Sequence, residues 1–257
     1  MTINQAIKET LVPAGKIGLW WLGQSGYILK NSTQKVLAID PYVTDTISKG
    51  YKPYIHERLV APVLNPDGAH GVSHVLLSHD HQDHLDPNSV VILANQSLTR
   101  FYGSETVCNR LTAELDIPQT MVQALPVNTP VELDQYRVTP VKAVHGGGAV
   151  GFVIQTEGIT LYFSGDTQLF YGMRELGARF TIDYAFLCFN GQQGNMDIAG
   201  AIHAAELVKA KTVVPNHYGM YADNTGDPEK FAYLLGQHSP ERQCRILEPG
   251  RLEWFEA

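Results

Sequence analysis

Cysteine is scarce in this sequence, and its spacing excludes two kinds of site. Only three cysteines occur among 257 residues, Cys108, Cys188 and Cys244, and none belongs to a Cys-x-x-Cys pair. Disulfide frameworks and thiolate metal sites both need paired or closely spaced cysteines, so we expect neither. We interpret all three as small buried apolar residues of a protein in a reducing compartment.

Basic clusters and long apolar runs are also missing. Lys and Arg number 19 against 26 Asp and Glu, and the formal net charge is -7. Nucleic acids and anionic membranes attract basic patches, so we expect neither as a partner. No apolar run is long enough for a membrane span, and residues 1–16 lack the features of a secretory leader. We therefore expect a soluble, cytoplasmic protein with a small-molecule substrate; the sequence leaves homo-oligomerisation open.

Short apolar segments alternate with amphipathic ones, and this alternation predicts an α/β protein. Asp86-Pro87 and Asp227-Pro228 each place an N-cap before a proline, which predicts that a helix begins there. No Pro/Ser-rich linker divides the chain, so we expect one domain over residues 1–257. Three continuous apolar runs are typical of strands buried on both faces: residues 74–78, 184–188 and 212–216.

Two predicted hairpins resemble each other. In both, two apolar segments flank a polar turn, and the second segment ends in an aspartate, Asp40 or Asp166. The echo indicates two similar halves that face each other. The paired segments are residues 26–30 with 36–40, and residues 151–155 with 160–166.

Histidine and aspartate are crowded into one short segment. On a helix, His79 and Asp83 would share one face and His81 the opposite one, so the cluster would be split. An extended and then turning loop after the apolar strand lets these side chains converge at the carboxyl end of a sheet. The segment reads His79-Asp80-His81-Gln82-Asp83-His84.

One loop cannot supply every ligand of two metal ions, since a divalent ion in a catalytic site takes about three protein ligands plus water. His145, Asp166 and His217 each follow an apolar strand and are candidates for the remaining positions. Together the residues offer five histidines and two aspartates. Seven such ligands suit two ions that share a bridging carboxylate.

The order His-x-His-x-Asp-His, then a lone His, a lone Asp and a last His, resembles the metallo-β-lactamase superfamily. The resemblance implies a four-layer αββα sandwich of two similar halves. It also implies that Asp166 bridges the ions and that Asp40 orients a ligand histidine from behind. By the same resemblance, one ion would be held by His79, His81 and His145, and the other by Asp83, His84 and His217.

Several segments are similar to the branch that includes the L-ascorbate-6-phosphate lactonases. They are LWWLGQSGYILK, LSHDHQDHLD, FSGDT, TVVPNHYG and DPEKFAYLL. The resemblance implies a metal-dependent hydrolase that opens a lactone or ester of a small, phosphorylated, sugar-like molecule. The irregular segment at residues 42–71 offers Lys52, His56 and Arg58 to such an anion.

Two divalent ions would lower the pKa of a bound water to about 7 and supply a hydroxide for attack. Asp83 and Asp166 are the predicted catalytic residues, Asp83 as the proton acceptor and Asp166 as the bridge. Nitrogen and carboxylate ligands without sulfur are compatible with zinc, manganese or iron. Two alternatives stay open at this point: hydrolysis of a small phosphodiester, and a non-catalytic binding protein that keeps the metals for stability.

Overall fold

Two mixed β-sheets form the centre of the computed structural model, which describes residues 1–47, 58–69, 71–96 and 99–257. The first seven strands are β1 Lys16–Gly23, β2 Gly26–Lys30, β3 Val36–Ile39, β4 Val72–Leu76, β5 Arg100–Gly103, β6 Val122–Ala124 and β7 Val131–Leu133. The others are β8 Tyr136–Lys142, β9 Val150–Thr156, β10 Ile159–Phe163, β11 Tyr184–Cys188, β12 Thr212–Asn216, β13 Gln243–Cys244 and β14 Leu252–Glu256.

The two sheets have the same strand order and the same strand directions. The first runs β14-β1-β2-β3-β4-β5-β6 and the second β7-β8-β9-β10-β11-β12-β13. In each sheet the first four strands pair antiparallel, and the remaining strands continue in parallel. The prediction of two similar halves is confirmed, and Asp40 and Asp166 follow the equivalent strands β3 and β10.

Helices cover the outer faces of the sheets. They are α1 Ile3–Glu9, α2 Pro87–Ala94, α3 Glu105–Ala113, α4 Met173–Arg179, α5 Ile198–Val208 and α6 Pro228–His238, with 3-10 turns at Pro66–Gly68 and Gln119–Met121. Asp86 and Asp227 are the N-caps of α2 and α6, each followed by proline, as predicted. The predicted αββα sandwich is therefore confirmed.

The period-two pattern of β1 explains how the first sheet serves two cores. Leu19 and Trp21 belong to the core between the sheets, whereas Trp20 and Leu22 belong to the core under the helices. Successive side chains of a strand point to opposite faces, so a fully apolar strand must be covered on both. Because the strands are covered on both faces, polar side chains can gather only at the strand ends, and here they meet at the carboxyl ends.

Two polar side chains brace the first half. Lys30 is buried and its Nζ donates to the carbonyl oxygens of Ile7, Lys8 and Thr10 at 2.8, 3.3 and 2.7 Å, so it caps the end of α1. Glu157, in the β9–β10 turn, accepts hydrogen bonds from Ser32 and from the Gly15 N–H. Burial alone would raise the pKa of Glu157, but these hydrogen bonds outweigh it and lower the pKa.

The cysteines differ in one respect from the sequence prediction. All three are free, and Cys108 and Cys188 are buried as expected. Cys244 is only partly buried, because β13 is the edge strand of the second sheet. Among the described residues, no helix has the length and apolar character needed to cross a bilayer.

Candidate metal centre

The histidine-rich segment lies at the carboxyl end of β4 and is not helical, as predicted. Its backbone turns at His81, whose carbonyl oxygen accepts from the N–H groups of His84 at 3.0 Å and Leu85 at 2.8 Å. The turn brings His79, His81 and His84 to one side, whereas a helix would separate His79 from His81, because residues two positions apart lie on different faces. The ring centroids of His79 and His84 are 4.1 Å apart.

The other candidate ligands come from strand ends of the second half. His145 follows β8, Asp166 follows β10 and His217 follows β12. β10 and β12 flank β11 in parallel, so their carboxyl ends lie at one edge of the sheet. The structure brings all three side chains to the segment 79–84.

A first group consists of three histidines. His79 Nε2 lies 2.9 Å from His81 Nδ1, and His145 Nε2 lies 3.3 Å from the same nitrogen. One ligand atom from each residue lies within 4.8 Å of the others, which is the spacing needed around a single ion. Three imidazole nitrogens can therefore face one cation here.

A second group combines Asp83, His84 and His217, whose ligand atoms also lie within 4.8 Å of one another. Asp83 Oδ2 is 3.3 Å from His217 Nε2 and 3.8 Å from His84 Nε2. Asp166 lies between the two groups. Its Oδ1 is 3.3 Å from His84 Nε2, and its Oδ2 is 3.3 Å from His217 Nε2 and 3.9 Å from His145 Nε2.

Two atoms at the centre of this arrangement show that a cation fits. His84 Nε2 and Asp166 Oδ1 are buried, and neither has a hydrogen-bond partner among the described residues. Buried polar atoms without a partner are costly, and a metal ion satisfies both. The set of imidazole nitrogens and carboxylate oxygens suits zinc and other divalent transition metals. The cluster is therefore able to bind metal.

The surroundings shift the pKa values of two histidines and two aspartates of the site downwards. Burial lowers the pKa values of His79 and His145, and neighbouring histidines lower them further. Burial alone would raise the pKa values of Asp83 and Asp166, but the histidines beside them hold both well below the usual range. These protonation states are the ones in which imidazole and carboxylate bind metals.

His217 and His84 behave in the opposite way, because each faces the carboxylates. Burial alone would lower the pKa of His217, but Asp166 and Asp83 raise it to about 9. The same two acids, with Asp40, raise the pKa of His84 despite its burial. The carboxylates therefore favour the imidazolium form of both rings, and a cation bound at a ring nitrogen would displace the proton there.

Asp40 lies behind His84. Its Oδ2 is 2.8 Å from His84 Nδ1, and its carboxylate accepts from Ser78 N at 2.7 Å and Ser78 Oγ at 2.6 Å. A carboxylate at Nδ1 keeps the proton on that nitrogen and leaves Nε2 free to face a metal. Asp40 has φ +41°, so this contact is held in a strained backbone.

Sequence reasoning missed two amide side chains at the centre. Gln24 Nε2 donates to Asp83 Oδ2, and Asn195 Nδ2 donates to Asp166 Oδ2, both at 2.8 Å. The only signal for Gln24 is its place in the tight Gly-Gln-Ser-Gly turn, and the sequence contains no comparable signal for Asn195. Both contacts join residues that are far apart along the chain.

Of the three predicted anion-binding residues, the structure describes only Arg58. Lys52 and His56 lie outside the described residues. The Arg58 side chain is 5% exposed, with Nη1 donating to Thr44 O at 2.7 Å and Nε to Val60 O at 3.0 Å. Its guanidinium also lies 4.6 Å from the ring centre of Tyr42. These contacts hold the loop in place. The remaining nitrogen, Arg58 Nη2, is buried and has no hydrogen-bond partner among the described residues.

Comparison with known proteins agrees with the site. The family model of the β-lactamase superfamily domain matches residues 37–218, which include every candidate ligand. A UPF0173 metal-dependent hydrolase from Anaeromyxobacter sp. (strain K) is 30% identical, over 92% of this chain and 86% of that protein.

Two solved structures show the same fold. Igni18, a metallo hydrolase from the hyperthermophilic archaeon Ignicoccus hospitalis, has a TM-score of 0.74 at 23% identity, covering 94% of this chain and 99% of that chain. An isothiocyanate hydrolase from Delia radicum gut bacteria has a TM-score of 0.76 at 17% identity, covering 93% of this chain and 100% of that one. With the fold, the clustered ligands and these relatives together, the chain belongs to the β-lactamase superfamily and is a metal-dependent hydrolase.

Proposed function

We propose that this protein is a dinuclear hydrolase that opens a lactone or ester of a small molecule. The position of Asp166 carries the proposal, since its two oxygens lie within 3.3 to 3.9 Å of histidines from both groups. One ion is assigned to His79, His81 and His145, and the other to Asp83, His84 and His217, with Asp166 shared. Zinc and manganese are the proposed metals, with iron as the third candidate.

Two divalent ions held by these residues would supply Lewis acidity and would lower the pKa of a coordinated water to about 7. The two aspartates of the site differ in exposure, and this difference assigns their roles in proton transfer. The Asp83 side chain is 15% exposed and Asp166 only 4%. Asp83 is therefore the acid that could accept a proton at its carboxylate and release it to solvent, while Asp166, which would be shared by the two ions, stays ionised. No nucleophilic side chain is needed.

The proposed substrate class rests on the ligand set of the centre and on the charge of the protein. A net charge of -7 disfavours a polyanionic nucleic acid. We propose a sugar-like substrate with a phosphate group, for which Lys52, His56 and Arg58 are the proposed contacts. Among the described residues, Arg58 Nη2 has no hydrogen-bond partner, which supports this assignment.

The first test compares initial rates of manganese-loaded protein on L-ascorbate-6-phosphate and on bis(p-nitrophenyl) phosphate, with Asp166→Asn as the blank. Faster turnover of the lactone is the expected result. Turnover of the diester alone would replace the proposal with a phosphodiesterase. Metal binding without turnover of either substrate, together with loss of stability on chelation, would favour a non-catalytic protein stabilised by metal.

Arg58 is tested separately, because its contacts with Thr44 and Val60 also brace the loop. Arg58→Ala is expected to raise KM for the phosphorylated substrate and to leave KM for its unphosphorylated counterpart unchanged. Thermal unfolding of the same variant measures the loss of bracing. Equal KM changes for both substrates would remove Arg58 from phosphate binding.

A further inference from the structure

Each of the two carboxylates in the ligand groups accepts a hydrogen bond from one neutral carboxamide. Gln24 Nε2 lies 2.8 Å from Asp83 Oδ2, and Asn195 Nδ2 lies 2.8 Å from Asp166 Oδ2. Gln24 is 0% exposed and Asn195 is 9% exposed. The carboxylates must accept, so the amide nitrogens face them and the amide oxygens, both buried without a hydrogen-bond partner among the described residues, point elsewhere.

Gln24 is held in place by the tight turn between β1 and β2. Its backbone has φ +51°, a left-handed conformation that is strained for a residue with a side chain. Its carbonyl oxygen accepts from Trp21 Nε1 at 3.0 Å and from the His217 N–H at 3.3 Å. The turn therefore joins the first half of the fold to a candidate ligand of the second. The two hydrogen bonds hold the Gln24 backbone in its strained conformation.

Asn195 is held from the second half alone. It lies in the loop between β11 and α5, where its N–H donates to Gln192 O at 2.8 Å. The next residue, Met196, donates its N–H to Thr167 O at 2.9 Å. The loop is thus fastened to the residue that follows Asp166, and the amide reaches the carboxylate from a fixed backbone.

Neutral donors suit this position for an electrostatic reason. A lysine or arginine at the same place would also stabilise the carboxylates, but its charge would repel a divalent cation a few ångströms away. A carboxamide N–H stabilises the ionised carboxylate and adds no charge. It also fixes which way the carboxylate turns, as the partners behind metal ligands do in general.

We propose that Gln24 and Asn195 are positioning residues, one for each carboxylate ligand, and that together they set the metal affinity of the centre. The proposal rests on the ligand assignment above. Gln24 acts through Asp83, and Asn195 acts through the shared Asp166. Neither residue needs to contact substrate.

The test is metal binding by the full chain, stripped with a chelator and titrated with Zn²⁺ against a competing chromophoric chelator. Gln24→Ala and Asn195→Ala are each expected to weaken binding by about 10- to 100-fold. Asn31→Ala is the matched control, because Asn31 is another buried carboxamide, bonded to Thr33 and Lys35 instead of a ligand. Its Zn²⁺ affinity should equal that of the wild type.

Two nearly isosteric variants separate positioning from simple packing. Gln24→Glu and Asn195→Asp replace the donor with a second carboxylate facing the first. Repulsion should lower the Tm of the metal-free protein below that of the alanine variant, and Zn²⁺ should recover more Tm than it does in the wild type. Alanine variants within twofold of wild-type affinity, or Tm losses that are the same with and without Zn²⁺, would overturn the proposal.

These readouts need no substrate, so they are independent of the hydrolysis assay. A wild type that binds Zn²⁺ but turns over no ester would refute the proposed function while the titrations still decide the roles of Gln24 and Asn195. A wild type that hydrolyses esters, with alanine variants of unchanged affinity, would refute the positioning roles and leave the proposed function standing.

Discussion

Replacing Asp40 with asparagine should weaken metal binding, but the protein should still fold. The carboxylate accepts three hydrogen bonds, two from Ser78 and one at His84 Nδ1. Asparagine can keep its oxygen on Ser78 N, but its NH₂ then faces the other two groups. Since an NH₂ cannot accept from Nδ1–H, the neutral ring of His84 is favoured with its proton on Nε2, the atom that faces the metal centre.

The expected size follows from the one charge-assisted hydrogen bond that is lost. Hydrogen bonds to charged groups contribute about 1.5–3 kcal/mol. At about 1.4 kcal/mol for each factor of ten, this corresponds to a loss of roughly 10- to 100-fold in affinity. Removal of a partner behind a metal ligand typically has an effect of the same size, about 10- to 100-fold.

Competition with a chromophoric chelator measures this change, and thermal unfolding of the metal-free protein measures folding. Asp183→Asn is the matched control. Asp183 is also buried and accepts from Thr160 N and Lys211 Nζ, both within 2.8 Å, but it contacts no candidate ligand. Both variants should lower Tm, and only Asp40→Asn should lower Zn²⁺ affinity. Unchanged affinity in Asp40→Asn, or an equal loss in Asp183→Asn, would refute this account of His84.

Three further predictions concern residues that support the fold and the site. Lys30→Met should lower the free energy of unfolding, measured in urea, by about 1–3 kcal/mol, because it leaves the carbonyl oxygens at the end of α1 without their donor. A typical hydrogen bond contributes ~1 kcal/mol, so a loss below about 0.5 kcal/mol would contradict this role. Glu157 has a lowered pKa when folded, so its stabilisation is complete above its unfolded pKa of about 4.3 and is lost as pH falls through the folded value. Glu157→Gln should therefore cost about 1 kcal/mol at pH 7 and nothing near pH 2, and a pH-independent cost would exclude the charge as the cause. Gly147→Ala should weaken Zn²⁺ binding, because a Cβ there, at φ +63°, would collide with the side chain of Asp80 inside the segment 79–84. Gly158→Ala, at φ +78° with open space, should cost only about 1–2 kcal/mol of stability and no affinity.

Much of the fold could be predicted because its signals are local. Apolar runs without polar interruption indicated buried strands, and the Asp-Pro pairs marked the starts of α2 and α6. The repeated hairpin pattern predicted two similar halves, which the equal strand order of the sheets confirms. Burial on both faces of a strand is a property of consecutive residues, so it is readable without knowing what the strand packs against.

The candidate ligands could be predicted for a related reason. His145, Asp166 and His217 each follow an apolar strand, and strand ends of an α/β sheet gather at one edge. Residue type and position at a strand end were therefore sufficient to nominate them, together with the segment 79–84. The structure brings these residues together, and their roles as ligands stay a prediction for the titrations above.

The amino-acid sequence by itself determined which side chains could bind metal, how the strands alternate with helices, and that the chain has two similar halves. Only the tertiary structure decided which neutral groups hold the acids: Gln24 reaches Asp83 and Asn195 reaches Asp166 across turns whose conformations depend on the other half or on a distant loop. It also placed Arg58 against two backbone carbonyls in a bracing position. The physical reason is that periodicity records burial, which is shared by many residues, whereas a single hydrogen bond depends on where two remote segments meet.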